Sequence, residues 1–160
     1  MKYLDQIKSP QLETRLSIKP YVKCPISEWM KAEILMWAKA VKSNPKYLTD
    51  SVFLVEAVAV IKRANFMCTG FHLTDAQILS SLVQLNADPK RGRLLQVGTG
   101  EGKSTIVSVI AIVHALKGKK VDIITSSPVL AERDAKEKAG LYKMFDLSCA
   151  DNDDKSIYVL

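Results

Sequence analysis

Cysteine is scarce in this chain. The three present, Cys24, Cys68 and Cys149, are odd in number and far apart. That argues against a disulfide framework and against a zinc site, and fits reduced thiols in a cytosolic protein. Long apolar runs are missing too: none approaches the ~18–20 residues that a membrane span needs. The N-terminus, MKYLDQIKSPQLETRL, lacks the apolar core of a signal peptide, and Asp5 and Glu13 interrupt it as a transit peptide. There are no internal repeats and no low-complexity tracts. The lysines are dispersed and no aromatic residues interleave with them, so there is no strong nucleic-acid signal.

What is present suits one globular domain. The chain has 160 residues, 48% hydrophobic and 25% charged, enough to build one core. Its net charge of +6 is uneven: residues 1–93 carry 14 Lys and Arg against 8 Asp and Glu, and residues 94–160 carry nine of each. The excess lies ahead of a glycine-rich stretch at 98–102. A basic half of this kind can meet nucleic acid, anionic lipid or an acidic partner, and can equally be a solvated helical surface.

Residues 1–26 are weakly patterned, with Pro10, Pro20 and Pro25 as punctuation. SEWMKAEILMWAKAVK follows, with Ser27 as a cap and Met30, Ile34, Trp37 and Val41 at helical spacing. SVFLVEAVAVIKRANFM is apolar on most sides, which predicts a buried helix ending near Gly70. LTDAQILSSLVQL predicts a third helix, opened by Thr74 or Asp75. Beyond the turn NADPKRGR the pattern changes. LLQV (94–97) and VDIITSSP have strand composition, a long helix runs between them to Gly118, LAERDAKEKAGLYKMF is a polar-faced helix, and SIYVL is again strand-like. Alternating strands and helices predict an α/β fold with a parallel sheet. The expected organisation is a helical segment over residues 1–50 followed by an incomplete P-loop (RecA-like) domain over 51–160. The last strand is expected to leave an open edge.

The stretch GTGEGKST, residues 98–105, carries the chemistry. A triphosphate is held by backbone N–H groups lining one hollow, a helix N-terminus behind them, and a cation that reaches the outer phosphates. Gly98, Gly100 and Gly102 allow the wrap, Lys103 supplies the cation, and Ser104 stands where a hydroxyl would hold Mg²⁺. One position departs from the full phosphate-loop pattern: Val97 stands where glycine is usual. Loops with a side chain there are common in helicase-like motors.

These residues resemble the first nucleotide-binding domain of SecA preprotein translocases. There the loop reads T-G-E-G-K-T, and a later strand and helix read V-x-V-V-T-V-N-D-Y-L-A-x-R-D-A. Here Leu130, Ala131, Arg133, Asp134 and Ala135 match the second motif. Upstream, Gly70, Asp75 and Gln77 fall on the family's G-M-R-H-F-D-V-Q-L segment. The resemblance covers about residues 52–145. Ser127, Pro128 and Val129 replace the family's N-D-Y, and SSPVLAER is also similar to the P-T-x-x-L-A-x-Q of superfamily-two helicases. The chain thus reads as a divergent member, with eukaryotic SecA-like proteins in view and a helicase as the fallback.

The resemblance implies ATP and Mg²⁺ as ligands. It implies phosphate contacts from Gly100, Glu101, Gly102 and Lys103, with Thr105 on the α-phosphate, Thr99 in the cofactor site, Ser104 on the metal, and Gln77 on adenine. Without it, Gln77 is equally an exposed helical glutamine. Arg133 and Asp134 either form a helix-surface ion pair or belong to a polypeptide-handling surface. No catalytic residue is assigned. The family's Walker B carboxylates are expected beyond the 57 residues that follow Lys103. Asp151, Asp153 and Asp154 read as loop residues instead. The implied partners are an unfolded preprotein and a translocation channel, met through a larger motor that is cytoplasmic with peripheral membrane contact. A motor segment without turnover of its own, a helicase fragment and a non-catalytic binding module all remain open from the sequence.

Overall fold

The computed structural model describes residues 2–18, 24–88, 92–151 and 157–159. Pro20, Asp153 and Asp154 lie outside them. Helix α3 (Ser51–Thr69) is the axis of the molecule. Leu54 to Ile61 are eight consecutive buried residues, as its all-round apolar composition predicts. It touches α1 (Lys2–Lys8), α2 (Lys31–Ser43), α4 (Asp75–Leu85), α5 (Lys103–Leu116) and α6 (Pro128–Lys143). One core cluster therefore joins Trp29, Trp37 and Leu48 of the N-terminal segment to Ile112 of α5 and Phe145 after α6. Trp29 and Trp37 are packing residues, both essentially fully buried.

The helix ends follow local chemistry. The Asp50 carboxylate accepts from Val52 N–H at the start of α3, and Gly70 ends that helix in the left-handed region at φ 76°. Thr74 opens α4: its Oγ1 accepts from Gln77 N–H, and the Gln77 amide oxygen accepts from Thr74 N–H. This reciprocal box satisfies two orphan donors at once. Ser127 caps α6 through Leu130 N–H, with Pro128 in the first turn. Ser27 does not cap α2. Its hydroxyl donates to Pro10 O, residues Ile26–Glu28 form a 3-10 turn, and α2 begins at Lys31 with Glu33 accepting from Met30 N–H.

The expected parallel sheet is corrected. The described residues are mostly helical, and their sheet is small: β1 (Asp122–Ile124), β2 (Ala150–Asp151) and β3 (Ile157–Val159), in the order β1-β3-β2. Both pairings are antiparallel, with Asp122 opposite Val159 and Ala150 opposite Val159. β1 and β2 thus run the same way, joined through α6, with β3 reversed between them. β3 was expected at an open edge and is instead central. The expected strand at 94–97 is not formed among the described residues, and Leu94 is 98% exposed. A strand exists only where a neighbour accepts its backbone hydrogen bonds, and the described partner of β1 is β3.

Candidate functional site

The glycine loop runs from Gly98 into α5. Gly100 and Gly102 take φ of 89° and 74°, the left-handed region that glycine occupies without Cβ strain. Gly102 is also the residue before the first turn of α5, and among the described residues no side chain caps that helix. The first N–H groups of a helix have no intrahelical acceptor, and they carry the positive end of its dipole. Lys103 folds back over the loop. Its ammonium donates to Val97 O and Gly98 O, each at 3.1 Å. An exposed cation, uncapped helix N–H groups and a hydroxyl in the first turn are the donor set a phosphate chain with Mg²⁺ requires, so the residues present fit ATP·Mg²⁺.

Gln77 is brought to the loop. Its Nε2 donates to Glu101 O at 2.9 Å, across 24 residues of sequence. The approach is close: a Cβ added to Gly102 would lie 2.5 Å from Gln77 Nε2. The other glutamine of α4, Gln84, is elsewhere, with its Nε2 on Arg93 O at 3.3 Å. The amide of Gln77 has two donors and two acceptor positions. The contacts to Thr74 and Glu101 use one of each.

Helix α6 approaches from the other side. Ser104 Oγ donates to Asp134 Oδ2 at 3.0 Å, and Arg133 Nε and Nη2 donate to Asp134 Oδ1 at 3.1 and 2.8 Å. Asp134 is buried, whereas the Arg133 side chain is half exposed. The hydrogen bond to Asp134 holds the Arg133 guanidinium above its ordinary value. One and two turns further along α6, Lys138 Nζ donates to Thr105 Oγ1 at 3.1 Å, and Tyr142 Oη donates to Ser108 Oγ at 3.2 Å.

The structure therefore gathers Gln77, Glu101, Gly102, Lys103, Ser104, Thr105 and Asp134 around one helix end. Thr99 and Gly100 sit at the exposed tip of the loop, and Arg133 lies on the outer side. Sequence reasoning missed Lys138 and Tyr142. The signal was there: 134, 138 and 142 share one helical face at i, i+4, i+8, and Ser104 and Ser108 are polar positions four apart on α5. Among the described residues no three His, Cys, Asp or Glu side chains form a metal cluster, and no helix is long and apolar enough to cross a membrane.

The loop that opens α5 has the sequence pattern of a P-loop, GTGEGKST. More narrowly, the sequence profile of the SecA DEAD-like domain matches residues 11–156, so the chain belongs to that family. It is 29% identical over 147 residues to the protein translocase subunit SecA of Desulfovibrio desulfuricans, covering 92% of this chain and 16% of that protein. It is 33% identical over 105 residues to that of Vesicomyosocius okutanii, covering 66% and 11%. It is 30% identical over 129 residues to the protein translocase subunit SecA 2 of Lactobacillus johnsonii, covering 81% and 15%. The chain thus spans less than a fifth of the length of these curated relatives.

Proposed function

We propose that this chain is the ATP·Mg²⁺-binding segment of a SecA-like motor that couples ATP hydrolysis to preprotein transport. In this reading residues 51–160 are the partial P-loop domain, of RecA-like descent, and residues 1–50 are a helical segment that buttresses it. The observation that carries the reading is the convergence of Gln77, Lys103 and Ser104 on one uncapped helix N-terminus. Lys103 and the loop N–H groups hold the phosphates, Thr99, Gly100, Glu101 and Thr105 line the cradle, and Ser104 is the metal's hydroxyl ligand. Bound Mg²⁺ neutralises charge between the outer phosphates.

The remaining donor and acceptor of the Gln77 amide match adenine N7 and N6–H. Guanine places an acceptor, O6, where adenine has its N6 donor, so the site prefers ATP over GTP. Unfolded preprotein and the translocation channel are partners of the larger motor, and contact with the membrane is peripheral. Arg133 is the exposed member of the Arg133–Asp134 pair, so a polypeptide-handling role falls to it. Titration calorimetry with ATP·Mg²⁺ tests the reading. Heat of binding is expected for the wild type and not for Lys103→Ala, with an ATP preference that Gln77→Ala reduces and Gln84→Ala leaves intact. Equal heats for wild type and Lys103→Ala would refute it.

A further inference from the structure

We propose that Asp134 is a positioning residue for the Ser104 hydroxyl, holding that hydroxyl so that it presents its lone pairs to the metal ion. This rests on the ATP·Mg²⁺ reading above and goes beyond it. A serine hydroxyl has one proton and two lone pairs. Free to rotate, it can turn its proton toward a cation as readily as a lone pair. Here a carboxylate oxygen, Asp134 Oδ2, accepts from Ser104 Oγ at 3.0 Å. The proton is therefore committed to Asp134 Oδ2, and both lone pairs remain for Mg²⁺. Withdrawal of the proton toward an anion also makes the oxygen a better ligand for a hard cation.

Asp134 is itself held in place. Only 7% of the residue is exposed, and its other oxygen, Oδ1, accepts two hydrogen bonds from the Arg133 guanidinium. That pairing balances the carboxylate's charge and fixes its rotation. The contacts of Lys138 with Thr105 and of Tyr142 with Ser108 hold the rest of α6 in register with α5. The carboxylate thus stands on a rigid support, as a group that aims a ligand must. A residue that only glued two helices together would need no contact with the one hydroxyl placed for the metal.

The two roles separate in the metal dependence of binding. The experiment measures ATP affinity of the 160-residue chain in excess Mg²⁺ and again in EDTA, and compares the ratio. Removing the partner that orients a metal ligand typically lowers metal affinity about 10–100-fold. For Asp134→Ala the Mg²⁺/EDTA ratio is expected to fall about tenfold, with the EDTA affinity within about twofold of wild type. Asp134→Asn keeps the shape and one acceptor oxygen, so it should fold and lose less. In a Ser104→Ala background Asp134→Asn should change the ratio no further. A wild-type ratio in Asp134→Ala would overturn the assignment alone, as would equal losses with and without metal in Asp134→Asn. A wild-type chain that binds no ATP in either buffer would overturn the nucleotide reading and this assignment together.

Discussion

The side-chain amide of Gln77 and the backbone carbonyl of Glu101 are hydrogen-bonded at 2.9 Å, so the start of α4 and the glycine loop form one unit. The same amide caps its own helix through Thr74. One side chain thus bridges the α4 cap and the glycine loop.

Gly102 is where that unit is tightest. An added Cβ would sit 2.5 Å from Gln77 Nε2, and the backbone holds φ at 74°. Gly102→Ala thus carries two faults. The left-handed backbone alone costs about 1–2 kcal/mol for a residue with a Cβ. The collision also pushes the Gln77 amide off Glu101 O. We expect a lower melting temperature and loss of ATP binding. Gln77→Ala in the same background removes the collision but also the Thr74 and Glu101 contacts, so it should restore little. A Gly102→Ala protein that melts and binds like wild type would count against this.

Glu56 makes a second prediction, about stability. Its carboxylate is buried on α3 and accepts from Trp37 Nε1 at 2.8 Å, Thr14 Oγ1 at 2.6 Å and Arg15 N at 2.9 Å. It ties the N-terminal segment and α2 to the central helix. Glu56→Ala leaves a buried indole N–H and a backbone N–H without acceptors. Each hydrogen bond to a charged group is worth about 1.5–3 kcal/mol, and a stranded buried donor costs about as much. We expect a loss of roughly 3 kcal/mol or more. Glu56→Gln, which retains one acceptor oxygen, should lose less. Urea midpoints would decide, and indistinguishable midpoints for wild type and Glu56→Ala would defeat the argument.

The helices were largely legible in the sequence, because their signals are local. Gly70 ends α3 and Thr74 opens α4 as read from the sequence, whereas the Asp50 cap of α3 and the Ser127-Pro128 start of α6 emerge only in the structure. The glycine loop was legible for the same reason: its conformational demands fall on consecutive residues. The sheet was not. Strand composition in VDIITSSP and SIYVL marks where strands form, but pairing direction depends on partners remote in sequence. Nor did composition predict that Asp134 would turn inward. A charged residue beside Arg133 on a polar-faced helix looks like surface until Ser104 is placed opposite it.

Turnover is the third prediction. Phosphoryl transfer needs a positioned water and added charge neutralisation at the transferred group, commonly a carboxylate and an arginine finger. Two described carboxylates lie at the loop: Asp134 is already bonded to Ser104 and Arg133, and Glu101 is an exposed residue of the cradle itself. We expect the 160-residue chain to release no phosphate above buffer background. Release that disappears in Lys103→Ala would prove this wrong.

His114, in the last turn of α5, sets a pH dependence. Its Nδ1 is buried and has no hydrogen-bond partner among the described residues. Burial first, and then Lys117 and Lys119, hold its pKa below the ordinary 6.5. A helix C-terminus favours a cation, but here burial and two like charges outweigh it. The sign follows from proton uptake. As pH falls through about 6.5, the unfolded chain protonates this imidazole before the folded one does, so acid favours unfolding. The contribution is fully present above pH 6.5 and drains away from there down toward the folded pKa. His114→Asn cannot titrate and should flatten that part of the profile. His72, exposed and stacked on Phe66, is common to both proteins, so the difference between them isolates His114. Urea midpoints collected from pH 7.5 to 5 test this. Parallel curves for wild type and His114→Asn would mean the buried imidazole does not couple protonation to folding.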